Sequence, residues 1–326
     1  MSKEVLFKRR TESAPAELRS LTVRVPGSSA NLGPGFDALA LAYQLYCTLT
    51  FRILDKNDSS IPLITLKGKL VDGLPKDQDN LIYSVLSNHW ENDPEMLQRV
   101  RIAIESEIPL GKGLGSSAAA ITGAVWAAFA LSKNMPDNDR VLAKAGDIEG
   151  HADNAAASLL GGMVVSARRE KSRGVYTQKV LWPKEWTTIV CVPPYVLSTK
   201  KSRSVLPKQI LRHDAVHNVQ KVALLVAAVQ NKDEDAMQEA LHDRLHEPYR
   251  AELVPELGGI RKAVSDLPVL GCVLSGAGSS VLTIVNQRHR RHVVECLQDW
   301  TKKHCPGAEI LDLSVDQEGL KVSYDE

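Results

Sequence analysis

The residues most able to do chemistry form a glycine- and serine-rich run at positions 109–120, which leads into an alanine-rich segment. Glycines let the backbone approach an anion closely and adopt the positive φ angles that point successive amides at one place. A helix capped by Ser116 or Ser117, with residues 118–129 as its body, would turn free N–H groups and the positive end of its dipole towards this run. The run therefore predicts a phosphate cradle, and the alternative is an ordinary glycine-rich helix start.

Neither standard phosphate-binding motif is present. The sequence Gly-x-x-x-x-Gly-Lys-Ser/Thr cannot be written here, and Gly-x-Gly-x-x-Gly fails in register, which disfavours a P-loop NTPase or a Rossmann enzyme. We expect the cradle to contact a nucleotide through Pro109, Gly111, Lys112, Gly113, Leu114, Gly115, Ser116, Ser117, Ala118 and Ala119.

Two further glycine- and serine-rich segments accompany the cradle, at residues 26–37 and 274–280. Three such segments in this order resemble the GHMP kinases, a superfamily of small-molecule kinases. Four stretches resemble the homoserine kinases within that superfamily, and they are residues 29–37, 149–154, 198–203 and 243–250.

The resemblance implies an α+β, two-lobed GHMP kinase fold. An extension at residues 1–20 would precede a ribosomal-protein-S5-like N-terminal lobe at 21–190 that holds the ATP cradle, and a ferredoxin-like C-terminal lobe would cover 191–326. The implied activity is transfer of a phosphoryl group from ATP, with Mg²⁺, to the side-chain hydroxyl of L-homoserine. A cytoplasmic homodimer is also implied.

The matched positions supply a partner for each end of an amino-acid substrate. Arg203 and Arg250 are expected to bind its carboxylate, because a guanidinium grips a carboxylate through paired hydrogen bonds. By resemblance, Asn31 and Asp37 lie at the amino and hydroxyl end, with Asp37 taking the ammonium, and their alternative is an Asx-turn and a helix cap. Asn154 and Thr199 complete the substrate-binding set. The catalytic set is Asn31, Asp37, Asn154 and Arg203.

A magnesium ion is expected between the cradle and the end of the next helix. Ser117 and Glu149 are the predicted ligands, and Glu149 is favoured over Asp147. His151 is interpreted as structural, because no second histidine lies at metal-ligand spacing from it. Other superfamily members carry a catalytic aspartate near the position of Asn154, so a conventional general base can be missing here; phosphoryl transfer depends mostly on positioning and charge neutralisation.

Composition narrows the class of partner. The 326 residues carry a net charge of +1, so no strong field draws the protein to nucleic acid or to a membrane surface. Five widely spaced cysteines without a Cys-x-x-Cys pair indicate reduced thiols in a cytoplasmic protein. No apolar run approaches the length of a membrane span. A small-molecule partner fits best.

The spacing of apolar residues predicts the strands and helices that position these side chains. Strands are predicted at 21–25 and 46–54, with the first glycine motif in a loop between them. A further strand at 100–105 leads into the cradle, and helices are predicted at 138–149, 215–230 and 234–245. Late strands at 271–274 and 281–285 flank the third glycine-rich segment, and terminal strands follow at 310–313 and 320–324.

Two departures from the family pattern leave alternatives open. Ser279-Ser280 stands where the third motif usually has Pro-Thr, and Ala152 stands where proline is frequent. Another GHMP kinase, acting on a mevalonate-pathway or sugar alcohol, is the second interpretation. A catalytically silent ligand sensor with the same fold is the third.

Overall fold

The computed structural model describes residues 19–132, 134, 136–170 and 174–324, which form two β-sheets with helices packed on them. The N-terminal extension predicted at residues 1–20 lies, up to residue 18, outside this described part. The strands are β1 (Ser20–Asn31), β2 (Gly35–Ile53), β3 (Ile64–Lys67), β4 (Val100–Ser106), β5 (Met163–Arg168), β6 (Val175–Val180), β7 (Trp186–Val192), β8 (Val269–Leu274), β9 (Val281–Asn286), β10 (Glu309–Leu313) and β11 (Lys321–Tyr324).

Eleven α-helices occur in the same described residues. They are α1 (Leu81–His89), α2 (Pro94–Arg99), α3 (Ser116–Leu131), α4 (Asn138–Glu149), α5 (Asp153–Leu160), α6 (Thr199–Ser204), α7 (Arg212–Asn231), α8 (Glu234–Ala240), α9 (Glu247–Arg250), α10 (Glu256–Ala263) and α11 (Arg290–His304). None of the helices described is both long enough and apolar enough to cross a membrane.

The first sheet is built around the long β1–β2 hairpin. Its main order is β11-β1-β2-β4-β3, while β5 pairs with another part of β2 and carries β6 at its edge. All pairs are antiparallel except β3 with β4. The second sheet is antiparallel in the order β10-β7-β9-β8. The observed α+β architecture with two sheets agrees with the fold class expected from the sequence.

The two terminal strands lie in different sheets. β10 pairs with β7 in the second sheet, whereas β11 returns to the first sheet and pairs with β1. Strand β7 in turn begins before residue 190. The lobe boundary between residues 190 and 191 stays a prediction. The second sheet includes residues before this boundary, in β7, and the first sheet includes residues after it, in β11.

Small residues allow α3 to lie directly on the first sheet. Gly123 faces Val25 and Leu49, and a Cβ at this glycine would come within 2.9 Å of Val25 and 3.0 Å of Leu49. The helix is buried along most of its length. Close packing at this point fixes where the helix N-terminus emerges, and the cradle is attached to that N-terminus.

One continuous core joins the two sheets. It runs from β1, β2 and α3 to α7, α8 and the strands of the second sheet. A second apolar cluster lies between the other face of the second sheet and α10 and α11. The two sheets therefore share one packed core.

The loop predicted for the first glycine motif is confined to a three-residue turn at residues 32–34. β1 continues through Pro26 to Asn31, and the motif forms the tip of the β1–β2 hairpin. The pairing shifts register between Pro26 and Ser28. Proline, which lacks an N–H group, is accommodated in a strand at such an irregularity.

Two predicted helix ends also differ. α3 is capped by Gly115, with φ of 69° and no side-chain hydrogen bond, and not by a serine. A Cβ at Gly115 would lie 2.4 Å from the Ser28 hydroxyl, so the position requires glycine. α8 ends at Ala240 and not at residue 245, because the Asp243 carboxylate accepts hydrogen bonds from the backbone N–H groups of residues 245–247. Helix α4 is confirmed at the predicted residues.

Candidate active site

The three glycine- and serine-rich segments meet at one place. The Ser275 hydroxyl donates to the Gly113 carbonyl at 2.7 Å, so its own oxygen is free to accept from the Ser29 hydroxyl 2.8 Å away. A Cβ at Gly113, where φ is 80°, would lie 2.3 Å from the Ser275 carbonyl oxygen. Only glycine fits this close approach of backbones. Segments more than 240 positions apart in the chain thus form a single wall.

A cleft opens beside this wall. Its volume is about 140 Å³, and the N-terminal end of α3 lies at its edge. The cleft is lined by Ala30, Asn31, Phe36, Asp37, Gly111, Gly113, Gly115, Ser116, Ser117, Ala118, Glu149, His151, Asp153, Asn154, Leu197, Ser198, Thr199, Arg203, Arg250, Gly276, Ala277 and Gly278. All six residues predicted to bind substrate belong to this lining.

Six of the ten predicted cradle residues also line the cleft, and four do not. Lys112 turns away, and its ammonium donates to the carbonyls of Pro193 and Tyr195 at 2.7 and 2.6 Å. Leu114 is buried and accepts a hydrogen bond from the Ser28 amide through its carbonyl. Pro109 and Ala119 are buried behind the loop. These four residues shape the cradle from outside the cleft.

The hairpin tip presents Asn31 and Asp37. Asn31 and Leu32 have φ of 75° and 46°, and Asp37 has φ of 56°, all in the left-handed region. The Asn31 side chain is buried and fixes the tip: its Oδ1 accepts from the Asp37 amide at 3.1 Å, and its Nδ2 donates to the Gly276 carbonyl at 2.9 Å. Asn31 therefore holds the Asp37 carboxylate at the mouth of the cleft.

Arg203 reaches that carboxylate from α6. Its two terminal nitrogens donate to the two oxygens of Asp37 at 2.6 and 3.1 Å. The pairing raises the pKa of the Arg203 guanidinium through the hydrogen bond to Asp37. Both side chains remain more than a third exposed, so each half of the pair is accessible to a ligand.

Arg250 is buried and held by neutral acceptors. It donates to the carbonyls of Ser202 and Gly276, both at 3.2 Å, and to the His246 ring at 3.1 Å. Within the described chain no carboxylate lies within ion-pairing distance of it. Burial, with help from the nearby Arg203 charge, lowers the pKa of Arg250 to about 10, which leaves it charged at neutral pH. A buried cation facing a cleft without a counter-ion is suited to an anionic ligand.

The opposite side of the cleft carries a compact polar set. The buried Asp153 lies 2.9 Å from the Nδ1 of His151, and this hydrogen bond raises the pKa of the histidine. Asn154 accepts a hydrogen bond from the Ser28 hydroxyl at 2.9 Å. Thr199, exposed at the start of α6, lines the same cleft. His151 thus fixes the Asp153 side chain, and the purely structural role expected for it stays a prediction.

The two predicted magnesium ligands are in contact. The Ser117 hydroxyl donates to Glu149 at 2.5 Å, joining the first turn of α3 to the last residue of α4. Asp147 is exposed and does not line the cleft. Hydroxyl and carboxylate oxygens are the hard donors that Mg²⁺ accepts, and it usually takes only one or two protein ligands beside substrate phosphates. Among the residues that the structure describes, no group of three or more His, Cys, Asp or Glu side chains could hold a metal ion.

An apolar pocket adjoins the cleft on the far side of the cradle. It has a volume of about 300 Å³ and shares Ser116 and Ser117 with the cleft. Its remaining lining is Cys47, Val71, Leu74, Pro75, Asp79, Asn80, Leu81, Ile82, Ile104, Ser106, Leu110 and Ala120. No sequence motif indicates this pocket, because its residues come from four separate segments of the chain.

Phe36 is a second feature that sequence reasoning missed. Its ring lies 5.5 Å from the Arg203 guanidinium and 5.3 Å from that of Arg250, and it stacks on His246. The signal was present, since Phe36 stands between Gly35 and Asp37 within the first motif. Its ring keeps two like charges close together through cation–π contacts.

Comparisons with known proteins agree with this geometry. Residues 80–162 match the GHMP kinases N terminal domain, and residues 225–303 match the GHMP kinases C terminal model. Homoserine kinase of Desulfitobacterium hafniense is 38% identical over 92% of this chain and 99% of its own. Homoserine kinase of Solibacter usitatus is 39% identical, over 92% of this chain and 96% of its own.

Solved structures give the same result. The crystal structure of homoserine kinase from Cytophaga hutchinsonii superposes with a TM-score of 0.80 at 28% identity, over 94% of this chain and 98% of that one. A mevalonate diphosphate decarboxylase of Enterococcus faecalis shares the fold at 13% identity, with a TM-score of 0.67 over 95% of this chain and all of that one. The fold and the glycine-rich cleft are those of a GHMP kinase. Within that class, the chain belongs to the homoserine kinase family.

Proposed function

We propose that this protein transfers the γ-phosphoryl group of ATP to the side-chain hydroxyl of L-homoserine, giving O-phospho-L-homoserine. The observation that carries the proposal is the placement, in one cleft, of a phosphate cradle beside a carboxylate and two guanidinium groups. A zwitterionic amino acid needs those charges, and a nucleotide needs the cradle. The homoserine kinases that match nearly the whole chain support the same substrate.

The amino acid is proposed to bind through both of its charges. Its carboxylate binds the guanidinium groups of Arg203 and Arg250. Arg250 is buried and has no counter-ion within ion-pairing distance in the described chain. Its ammonium takes Asp37, which Asn31 holds in place. Asn154 and Thr199, which line the same cleft, are proposed to orient the side-chain hydroxyl.

The nucleotide is proposed to bind along the cradle. The free N–H groups of the first turn of α3 and the backbone at Gly111, Gly113 and Gly115 hold its phosphates. The apolar pocket beyond Ser116 and Ser117 receives the base, because it lies next to the cradle and is lined mainly by apolar side chains. The γ-phosphate then points to the cleft that holds the amino acid.

Ser117 and Glu149 are proposed to hold Mg²⁺ together with the ATP phosphates. When bound, the ion neutralises charge on the transferred phosphoryl group. The hydrogen bond between the two side chains supports the assignment, since it already brings the two oxygens together. Asp147 is proposed to take no part.

Catalysis is proposed to rest on positioning. The cradle and the paired charges fix the hydroxyl oxygen against the γ-phosphate, and such alignment replaces a bimolecular encounter. A loose phosphoryl-transfer transition state makes little demand on a strong base. The polar side chains around Asn154 orient the hydroxyl, and Asp153 is held by His151 and by the Asn154 amide.

A coupled ADP-release assay with Mg-ATP tests the proposal. L-homoserine, L-serine, L-threonine, mevalonate and galactose are offered in turn. We expect turnover with L-homoserine far above that with any other alcohol. A preference for mevalonate or galactose would show kinase activity but refute L-homoserine as the substrate. ATP binding without any turnover would identify a ligand sensor. The homodimer implied by the resemblance remains a prediction for sedimentation velocity.

A further inference from the structure

His246 lies behind the cleft, outside its lining, and connects the two substrate-binding parts of the site. The side chain is fully buried. Its Nε2 lies 2.8 Å from the Gly33 carbonyl oxygen, at the tip of the β1–β2 hairpin. Its Nδ1 lies 3.1 Å from a terminal nitrogen of Arg250. One imidazole thus touches the hairpin that presents Asp37 and the guanidinium proposed to bind the carboxylate.

The two contacts fix the protonation of the ring. A carbonyl oxygen only accepts, so Nε2 must carry a proton and donate it to Gly33. A guanidinium only donates, so Nδ1 must be unprotonated and accept from Arg250. His246 is therefore the neutral Nε2–H tautomer. Its burial lowers its pKa, which favours the same neutral form.

Phe36 strengthens the connection. The rings of His246 and Phe36 stack with centroids 5.2 Å apart and planes inclined by 23°. Phe36 is the residue next to Asp37 and also faces both guanidinium groups. The imidazole therefore holds the hairpin at two points, through the Gly33 carbonyl and through the Phe36 ring.

His246 is itself held in place by its own turn. Asp243 accepts hydrogen bonds from the backbone N–H groups of Leu245, His246 and Glu247, and from the Asn218 side chain. Asn218 also donates to the Pro34 carbonyl, which is another contact with the hairpin tip. The turn that carries the ring is thus held in place, and reorienting the ring would break its hydrogen bonds to Gly33 and Arg250.

We propose that His246 is a positioning residue that sets the distance between Arg250 and the hairpin carrying Asp37, and so matches the site to the spacing between the carboxylate and ammonium of an α-amino acid. The proposal rests on the proposed function. It assigns His246 no contact with substrate and no part in proton transfer. Its effect passes through Arg250 on one side and through Gly33 and Phe36 on the other.

The variant His246→Phe tests this by keeping an aromatic ring against Phe36 while removing both hydrogen bonds. We expect the KM for L-homoserine to rise about 10- to 100-fold, the range for losing a hydrogen bond to a charged group. The KM for Mg-ATP should stay within about twofold, since the cradle does not contact His246. His89→Phe is the matched control, because His89 also packs against an aromatic ring, Phe129, and lies outside the cleft. Its constants should equal those of the unmodified protein.

Two conservative variants separate the two contacts. His246→Asn places a carbonyl oxygen near the former Nδ1, where it can accept from Arg250, and should recover most of the affinity for L-homoserine. His246→Gln places an amide nitrogen near the former Nε2, where it can donate to Gly33, and should recover thermal stability more than affinity. An unchanged homoserine KM in folded His246→Phe would overturn the proposal. So would a parallel rise in both KM values, or an Asn variant no better than Phe.

Nitrogen NMR of the histidine side chains in the unmodified protein provides a readout that needs no variant to be active. The signal that disappears in His246→Gln identifies the residue. We expect the neutral Nε2–H tautomer, and an Nδ1–H tautomer or a protonated ring at neutral pH would overturn the proposal even if His246→Phe fails to fold. Failure of the unmodified protein to phosphorylate L-homoserine would refute the proposed function separately, because the tautomer is measured without turnover.

Discussion

Asp37 and Arg203, 166 residues apart in the chain, form an ion pair with two parallel hydrogen bonds at the mouth of the cleft. Each is the proposed partner of one charge of the substrate. A zwitterionic ligand can therefore replace the pair, giving its ammonium to Asp37 and its carboxylate to Arg203. Because both side chains are partly exposed, opening the pair costs about 1 kcal/mol or less.

The first prediction concerns ligands that carry only one of these charges. γ-Hydroxybutyrate lacks the ammonium and aminopropanol lacks the carboxylate, yet both keep the reacting hydroxyl. Each ligand would have to open the Asp37–Arg203 ion pair, yet it carries a charge for only one of the two side chains. We expect kcat/KM for each to fall at least about 100-fold below that for L-homoserine, as the loss of a charge-assisted hydrogen bond implies. Comparable kcat/KM values in the ADP-release assay would contradict the exchange of charges.

Replacing Arg203 tests its assignment to the amino acid. Arg203→Ala should raise the KM for L-homoserine about 100-fold and leave the KM for Mg-ATP within about twofold, because it removes two charge-assisted bonds from one substrate only. Arg291→Ala is the control, since that arginine is 91% exposed and pairs with Glu295 on α11. Equal losses for both substrates in steady-state kinetics would remove Arg203 from the carboxylate site.

The neighbouring acids at the end of α4 give a matched pair for the metal. Glu149→Gln keeps the size of the side chain but removes its charge, and should lower kcat/KM for Mg-ATP at least about 100-fold with every acceptor. Asp147→Asn makes the same change on an exposed residue outside the cleft and should be silent. A magnesium titration of the rate should shift to higher concentration in the Glu149 variant alone. The reverse pattern would exchange the two assignments.

The apolar pocket beside Ser116 and Ser117 predicts where the base of ATP binds. Leu74→Asp places a charge in this pocket and should raise the KM for Mg-ATP at least about tenfold, because a buried unpaired charge is costly. Leu181→Asp, on a residue that is 74% exposed, is the control. The homoserine KM should not change in either variant. If the Leu74 variant binds Mg-ATP normally in calorimetric titration, the base lies elsewhere.

A pH dependence of stability follows from His246. Burial lowers the pKa of this ring in the folded protein, so it binds a proton more readily when unfolded, where the ordinary value is 6.5. The free energy of unfolding should therefore fall as the pH drops below about 6.5. Urea unfolding at about pH 7.5 and about pH 5.5 should show a larger loss for the unmodified protein than for His246→Asn. Equal losses would contradict the assignment of this pH dependence to His246.

Local sequence signals predicted the cradle and the helices around it. Glycines at 111, 113 and 115 have positive φ in the structure, as the phosphate-cradle interpretation requires. Helix α4 occupies its predicted residues, because its capping aspartate and final glycine are both local signals. Features that depend on residues close together in the sequence could therefore be predicted from it.

Features that depend on contacts between distant parts of the chain could not be predicted from local sequence signals. The N-cap of α3 is Gly115 because Ser28 lies against it, and Ser28 is 87 positions away. The Lys112 ammonium donates to the carbonyls of Pro193 and Tyr195, more than 80 positions further along the chain, a pairing that no local pattern indicates. The role of His246 emerges only when Gly33 and Arg250 are seen on its two sides. Sequence spacing carries no information about such pairings.

Phosphorus NMR of the reaction of the purified protein with Mg-ATP and L-homoserine shows whether the γ-phosphoryl group reaches the side-chain hydroxyl. We expect a phosphomonoester signal coupled to the γ-methylene of homoserine, in a one-to-one ratio with ADP. Free phosphate in place of the ester, or an ester formed equally well on other alcohols, would contradict it.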